Sequence, residues 1–327
     1  TLKLIIKWEF LACVITFLYG VSIAVIGWDT ALLTESLALS STILFCYFMI
    51  SYIKTRKLQY GIYSVILIFV MTFLRPSFIG FVAIVFAFFL VKSIIDKENR
   101  KKDIICLAVS GISILMILIY CIIFYIQHDI FSITKASVRQ NLYVCMEQGF
   151  YKNSKDDQFI KDVEETIPQY DTMWGAVRKI LADYGNERIQ DLVSVSRKES
   201  MNEYIEYVIN LINTHSNAYF ESYYTRLIDD TTNIQYNFIN SFMFLKFSTV
   251  YLILIIEAVI SIYKWIKNKK PSWIDLGLFG FITATLVISF IGTNSEFMRT
   301  AICVVPFSYI AIGKIISDCV EKYKENA

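Results

Sequence analysis

Long apolar segments constrain this sequence more than any other feature. A helix needs about 20 apolar residues to cross the hydrocarbon core of a membrane, because each residue rises about 1.5 Å. Eight segments reach or approach that length, at residues 5–27, 31–53, 58–74, 77–95, 104–126, 243–263, 274–292 and 300–317. The sequence therefore predicts an all-α fold, a polytopic transmembrane bundle of about eight helices.

The overall composition excludes an ordinary soluble domain. Apolar residues make up 56% of the 327 residues and charged residues only 18%, against about 45–50% and about 25% in soluble domains. The net charge is only +2, and the basic residues occur in short runs between apolar segments. The charge therefore does not argue for nucleic acid, and we expect no nucleic acid but membrane lipids and lipid-linked molecules as partners.

The basic runs predict the orientation of the chain, because short cytoplasmic loops are enriched in lysine and arginine. With eight spans, all of these runs fall on one side. They comprise Lys3, Lys7, Lys54, Arg56, Lys57, Lys97, Arg100, Lys101, Lys102, Lys264, Lys267, Lys269, Lys270, Lys322 and Lys324. We therefore expect a multi-pass protein of the cell membrane with both termini in the cytoplasm.

The polar region between the fifth and sixth segments predicts a water-exposed α-helical lobe outside the cytoplasm. The domain organisation is then 1–126 (helices 1 to 5), 127–242 (the lobe) and 243–327 (helices 6 to 8 and the tail). Within the lobe, Asp171 precedes an apolar stripe that stops at Gly185, which is typical of a capped helix. The stripe comprises Met173, Trp174, Val177, Ile180 and Leu181, and a second comprises Tyr204, Val208, Leu211 and Ile212.

Several functional classes lack their signatures in this sequence. No P-loop, GxGxxG, HExxH or GxSxG occurs, which argues against a nucleotide-driven pump or a familiar hydrolase. Six of the seven cysteines lie in or beside apolar runs, which leaves Cys145 alone in the lobe. The lobe therefore has no intrachain disulfide framework, and no cysteine–histidine pattern indicates zinc.

Acidic residues at a predicted helix mouth are the first candidates for chemistry. Asp29 and Glu35 surround the outer start of the second segment, where an acid could bind a divalent metal ion, act as a base or hold a hydroxyl. Asp29 could equally cap the helix, and Glu35 could simply favour the positive end of the helix dipole. Metal dependence stays open at this point.

Two outer turns carry arginines that could contact phosphate. Arg75 precedes Pro76 between the third and fourth segments, and Arg299 follows Glu296 before the last segment. A guanidinium matches phosphate geometry. Arg75 could also be an interfacial side chain beside a helix-breaking proline. Glu296 and Arg299 could equally form an exposed ion pair.

Three further ionisable residues favour structural readings. Glu257 lies inside a predicted span and could be proton-linked, although pairing with a neighbouring helix is the commoner role. His128 and His215 are isolated histidines of the lobe.

Four short stretches resemble bacterial membrane glycosyltransferases of the GT-C type. They are Leu33–Ala38, Leu74–Ser77, Ile212–Phe220, and Glu296–Arg299 followed by Pro306. The third resembles an outer-lobe segment that in the family often contains a His-Pro pair; here Ser216 follows His215. Family members have more spans and a catalytic acid in the first outer loop, so we expect an N-terminal part with that acid to precede Thr1.

The resemblance implies transfer of a sugar from a polyprenyl-phosphate donor to a lipid or glycan acceptor on the outer face. Glu35 then matches the second acidic position and is, with Asp29, a catalytic candidate. Arg75, Glu296, Arg299 and His215 become substrate-binding candidates. Two other classes remain open: a polymerase or ligase of lipid-linked polysaccharide repeats, and a non-enzymatic transporter, flippase or sensor. Glu35 favours the transferase, whereas Arg75 and Arg299 serve transferase and polymerase equally.

Overall fold

The computed structural model describes residues 1–22, 25, 34–215, 247–292 and 301–326, and every regular element in these ranges is a helix. The α-helices of this part are α1 (Glu9–Gly20), α2 (Thr34–Thr55), α3 (Leu58–Leu74), α4 (Ile79–Ile95), α5 (Arg100–His128), α6 (Ala136–Glu147), α7 (Asp157–Thr166), α8 (Met173–Tyr184), α9 (Asn186–Glu199), α10 (Met201–His215), α11 (Phe247–Asn268), α12 (Trp273–Gly292) and α13 (Val304–Asn326). Short 3₁₀ helices span Leu2–Leu4, Pro76–Phe78, Phe150–Asn153, Ile167–Gln169 and Ala301–Cys303.

The apolar helices confirm the helical membrane class. In the described ranges, α2, α5, α11, α12 and α13 are long and apolar enough to cross a membrane, while α1, α3 and α4 are apolar but have 17 residues or fewer. These helices overlap the predicted segments; α1 ends seven residues before the predicted end of its segment, α13 runs nine residues past its own, and the other ends differ by up to five residues. A total of eight spans stays a prediction, since three of the helices are shorter than the roughly 20 residues that cross a membrane.

The chain divides into two compact units. The first, here called the bundle unit, contains 1–114, 215–289 and 298–327, and the second, the lobe unit, contains 115–214 with 290–297. Helix α5 belongs to both units, because the division falls after Ile114. The predicted division at 126/127 stays a prediction, and the one at 242/243 lies outside the described residues.

An aromatic core holds the bundle unit together. Phe281 of α12 stacks on Phe307 of α13 with ring centroids 5.5 Å apart, and Phe45 of α2 meets Phe281 edge to face at 4.8 Å. Helix α13 is central, because 72% of its most apolar stretch is buried. Only 22% of the corresponding stretch of α11 is buried. The outer faces stay apolar; Phe10 and Ile255, for example, are 80% and 62% exposed. Such surfaces are suited to lipid instead of water.

Ion pairs bring the basic segments together at one end of the bundle unit. The pairs join the N-terminal segment to α13, the α2–α3 turn to the end of α4, and the α11–α12 turn to the α4–α5 turn. They are Lys7–Glu321 at 3.1 Å, Arg56–Asp96 at 3.0 Å and Lys270–Glu98 at 3.4 Å. The lysine-rich segments therefore share one end, which we call the basic end; that it faces the cytoplasm remains a prediction.

The lobe unit has its own core and its own capped helices. Buried side chains of α6–α9, such as Leu142, Phe159, Val177 and Ile189, form this core. Capping hydrogen bonds begin two helices: the carboxylate of Asp156 accepts from the Phe159 N–H, and the hydroxyl of Thr172 from the Gly175 N–H. The first bond, together with Arg188 at 3.0 Å, holds the pKa of Asp156 below its usual value.

One predicted cap of the lobe is wrong and one terminator is confirmed. Thr172, not Asp171, is the N-cap of α8, because its side chain accepts the bond from Gly175. Helix α8 ends before Gly185, whose φ of 77° lies in the left-handed region that favours glycine. Val177 and Ile180 of the predicted stripe are buried, as expected.

Candidate functional site

Glu35 and Arg75, predicted separately from the sequence, form a buried ion pair in the bundle unit. Arg75 Nη2 lies 3.7 Å from Glu35 Oε1, and the two side chains are 8% and 0% exposed. Charged groups withdrawn from water in this way are costly unless they are paired. We call these two residues the Glu35–Arg75 pair.

Local sequence explains where each partner stands. Glu35 lies in the first turn of α2, where a negative charge interacts favourably with the helix dipole. Arg75 is the C-cap of α3; its backbone is extended (φ −146°, ψ 108°), as expected for a residue that precedes proline. Pro76 then opens the next 3₁₀ helix. The pair therefore joins the start of α2 to the end of α3.

A third chain region reaches the pair. Cys303, in the 3₁₀ helix that precedes α13, is buried and lies close enough for electrostatic interaction with both Arg75 and Glu35. In the sequence, Cys303 stands only as part of an apolar run. Its position four residues after Arg299, in the predicted outer turn, was the signal that could have placed it here.

The pair lies at the end of the bundle unit opposite the basic end. Glu35 is in the first turn of α2 and Lys54 in the last, so about 19 residues, or roughly 28 Å of helix, separate them. Arg75 ends α3, which begins next to Lys57. Both predicted site residues therefore share one end, as the predicted topology requires.

The remaining predicted site residues are not brought to the pair by the described structure. Asp29, Glu296 and Arg299 lie outside the described residues. His215 is the last residue of α10, and its side chain is likewise outside the description. Among the described residues, no group of three His, Cys, Asp or Glu side chains could hold a metal ion, and metal dependence stays open.

A second buried ionic cluster, which the sequence analysis missed, lies toward the basic end. Lys92 has no exposed surface and donates to both carboxylate oxygens of Asp103 at 2.9 Å and to Asp96 at 2.9 Å. The Tyr52 hydroxyl donates to Asp103 at 2.5 Å, and Arg56 pairs with Asp96. A lysine within the apolar run Phe88–Ile95 was the signal for this cluster.

Glu257 lies beside a third buried cluster, and the paired role weighed for it from the sequence stays a prediction. Its fully buried carboxyl lies within electrostatic range of Asp275 in α12. Lys264 donates to Asp275 at 3.0 Å and to Asp318 at 2.8 Å, and Lys314 pairs with the same two acids. The cluster joins α11, α12 and α13 at the basic end.

The Glu35–Arg75 pair differs from these two clusters in its location. The clusters lie beside basic loops and join neighbouring helices, as structural ion pairs commonly do. The pair lies at the other end. There Arg75 itself has an extended backbone and precedes a proline-led turn, and the 3₁₀ helix before α13 approaches the two helix ends. Comparison with known proteins adds nothing to this geometry: no family model, no curated protein and no solved structure matches the chain.

Proposed function

We propose that this chain is a membrane glycosyltransferase that moves a sugar from a polyprenyl-phosphate donor to a glycan or lipid acceptor at the outer face. The observation that carries the proposal is the burial of Arg75 beside Glu35 at the end of the bundle unit away from the basic loops. A lipid-linked donor keeps its tail in the bilayer, so its phosphate lies at the level of helix ends. An arginine fixed at a helix end suits that phosphate.

Arg75 binds the leaving phosphate in this mechanism. A base removes the proton of the acceptor hydroxyl, the acceptor oxygen forms a bond with the anomeric carbon, and the bond from that carbon to the phosphate oxygen breaks. The polyprenyl phosphate leaves with the electron pair of that bond. A fixed cation with little access to water stabilises this developing charge more strongly than a solvated one.

Glu35 acts here as a positioning residue. A separation of 3.7 Å is that of an ion pair and exceeds an ordinary hydrogen bond, so Glu35 balances the charge of Arg75 and keeps the guanidinium in place. A carboxylate with no exposed surface is poorly placed to reach an acceptor hydroxyl. Asp29, six residues earlier, is then the better candidate for the base within this sequence.

The test is sugar transfer in membranes that contain the full-length protein, with radiolabelled polyprenyl-phosphate sugars as donors. Arg75→Gln is expected to lose about 100-fold in rate, comparable to the removal of one transition-state donor. Arg75→Lys, which keeps the charge without the planar fork, should lose less, and Glu35→Gln should lose transfer because Arg75 loses its counter-charge.

A matched control exists at the other end of the same bundle. Arg56→Gln also breaks an arginine–carboxylate pair, Arg56–Asp96 at 3.0 Å, and should leave transfer within about threefold of the wild-type rate. Full transfer by Arg75→Gln would reject the role of Arg75. Transfer only from pyrophosphate-linked oligosaccharides would favour the polymerase, and no transfer from any donor would favour a transporter or sensor.

A further inference from the structure

A polar groove in the lobe unit has the size and lining of a ligand site. Its cavity of about 570 Å³ lies between α6 and α9, within the range of about 300–1,000 Å³ that is usual for small-molecule sites. Its lining residues include Ser137 and Asn141 of α6 and Gln190, Ser194 and Arg197 of α9. All of them belong to the same unit, so the groove is a property of the lobe alone.

The lining offers hydrogen-bond donors and acceptors beside an apolar platform. Hydroxyl and amide groups can both donate and accept, which is the chemistry that recognises sugar hydroxyls. Phe131 and Met201 lie at the groove and are 52% and 47% exposed, so each can cover the apolar face of a sugar ring. Val138 and Val193 contribute buried apolar surface to the lining.

Arg197 is held in place at the groove. Its guanidinium stacks over the ring of Tyr204 at 5.0 Å, and its Nη2 donates to Asn141 Oδ1 at 3.0 Å. A guanidinium has five N–H donors, so a single amide partner leaves it able to bind an anion. A side chain already fixed by its neighbours loses little entropy on binding a ligand.

The charge of the groove is opposite to that of the unit around it. Residues 115–214 carry 14 acidic and 10 basic side chains, yet the residues that line the groove include Arg197 and Lys198 and no acid. A positively charged groove within an acidic surface favours an anionic ligand and repels a cationic one.

From these observations we infer that the groove between α6 and α9 binds a saccharide that carries a carboxylate or phosphate group. The hydroxyl-bearing and amide side chains bind the sugar hydroxyls, Phe131 or Met201 contacts the ring, and Arg197 with Lys198 binds the anionic group. That this saccharide is the acceptor of the transfer reaction rests on the proposed function; binding itself does not.

Binding is best measured on the full chain in detergent micelles by isothermal titration calorimetry. The probes are oligogalacturonate, a sugar phosphate, a neutral gluco-oligosaccharide, inorganic phosphate and oligoglutamate. We expect oligogalacturonate or the sugar phosphate to bind at least tenfold more tightly than the other three. If inorganic phosphate or oligoglutamate bound as tightly, the ligand would not be a saccharide. If the neutral oligosaccharide bound as tightly, the anionic group would not be required for binding.

Variants at the groove separate a binding role from a folding role. Lys198→Gln and Gln190→Ala change exposed side chains and should each weaken binding several-fold, while Arg197→Gln should weaken it at least tenfold. Lys161→Gln, at an exposed lysine away from the groove, is the matched control and should bind as the wild type does. Unchanged binding in Lys198→Gln and Gln190→Ala together would overturn the site.

The outcome is distinguishable from failure of the proposed function. Arg75→Gln should lose transfer and still bind the saccharide, because Arg75 belongs to the bundle unit. If the chain bound the saccharide but transferred no sugar, the proposed saccharide site would stand and the proposed transferase function would be rejected. If the chain transferred sugar but bound none of the anionic saccharides, only the proposed saccharide site would be rejected.

Discussion

Lys92 illustrates at the residue scale how a membrane helix accommodates a charge. Its ammonium group has no exposed surface, but Asp96, Asp103 and the rings of Tyr52 and Trp273 surround it, with the ammonium 5.5 Å from each ring centroid. Burying the charge is costly, and the ion pairs and rings offset that cost. Removing one partner should therefore matter far more here than at a surface pair.

The variant Asp103→Ala is expected to lower the free energy of unfolding by about 3 kcal/mol or more, because it removes one of the two carboxylates that pair with buried Lys92. The measurement is an equilibrium unfolding curve of the purified chain in mixed detergent micelles. Glu98→Gln is the control, since it breaks the Lys270–Glu98 pair, in which both side chains are 79% exposed, and should change stability by less than about 1 kcal/mol. Equal effects of the two variants would refute this account of the cluster.

Sequence reasoning located single residues better than their partners. Glu35 and Arg75 were both selected, because charges at helix mouths in an apolar chain are conspicuous. Their contact could also have been predicted: the turn near Arg56 joins α2 and α3, and each partner lies about 20 residues from that turn. Lys92 was not among the candidates, although it lies inside the predicted segment 77–95.

Individual helices were predicted well wherever local signals are strong. The apolar segments match the helices because apolar length is a property of contiguous residues, whereas helix ends depend on individual caps. Asp171 and Thr172 show the difficulty, since both are good N-caps and only the bond to Gly175 distinguishes them. The groove between α6 and α9 was not predictable, because its lining comes from residues about 50 positions apart.

Close packing between helices supplies a prediction at this scale. A Cβ atom at Gly61 of α3 would lie 2.5 Å from Cys106 Sγ of α5 and 3.1 Å from the Tyr52 ring. Gly61→Ala should therefore destabilise the chain by about 1–3 kcal/mol, the usual cost of overpacking, despite the better helix propensity of alanine.

The matching control for Gly61→Ala is Gly111→Ala in α5. The added Cβ would have Phe86 as its neighbour at 3.6 Å, an ordinary contact. The same unfolding measurement should find this variant as stable as the wild type or more so, since alanine favours a helix by about 0.5–1 kcal/mol over glycine. If Gly61→Ala were also harmless, α3 and α5 would not pack as closely as described.

At the scale of the whole molecule, the sorting of charge predicts sidedness. The basic end gathers lysines from separate loops, and the positive-inside rule assigns that end to the cytoplasm. An introduced cysteine at Lys198 of the lobe should react with a membrane-impermeant maleimide in intact cells. A cysteine at Lys97, beside the basic end, should react only after permeabilisation.

Labelling needs a background in which the two exposed native cysteines, Cys13 and Cys319, are replaced by serine. Reaction of both introduced cysteines from the same side would contradict the topology. Such a result would also separate Glu35 and Arg75 from the lobe groove by the membrane and remove the link between donor and saccharide sites.

The association of the first apolar helix with the last has a consequence for biosynthesis. Lys7 pairs with Glu321, Tyr19 meets the ring of Tyr309 at 5.6 Å, and the backbone at Gly313 approaches the side chain of Ile6. Since a chain emerges from the ribosome in order, α1 waits through nearly 300 residues of translation before its neighbour exists. Among the described helices, α1 therefore completes its packing only after α13 has been synthesised.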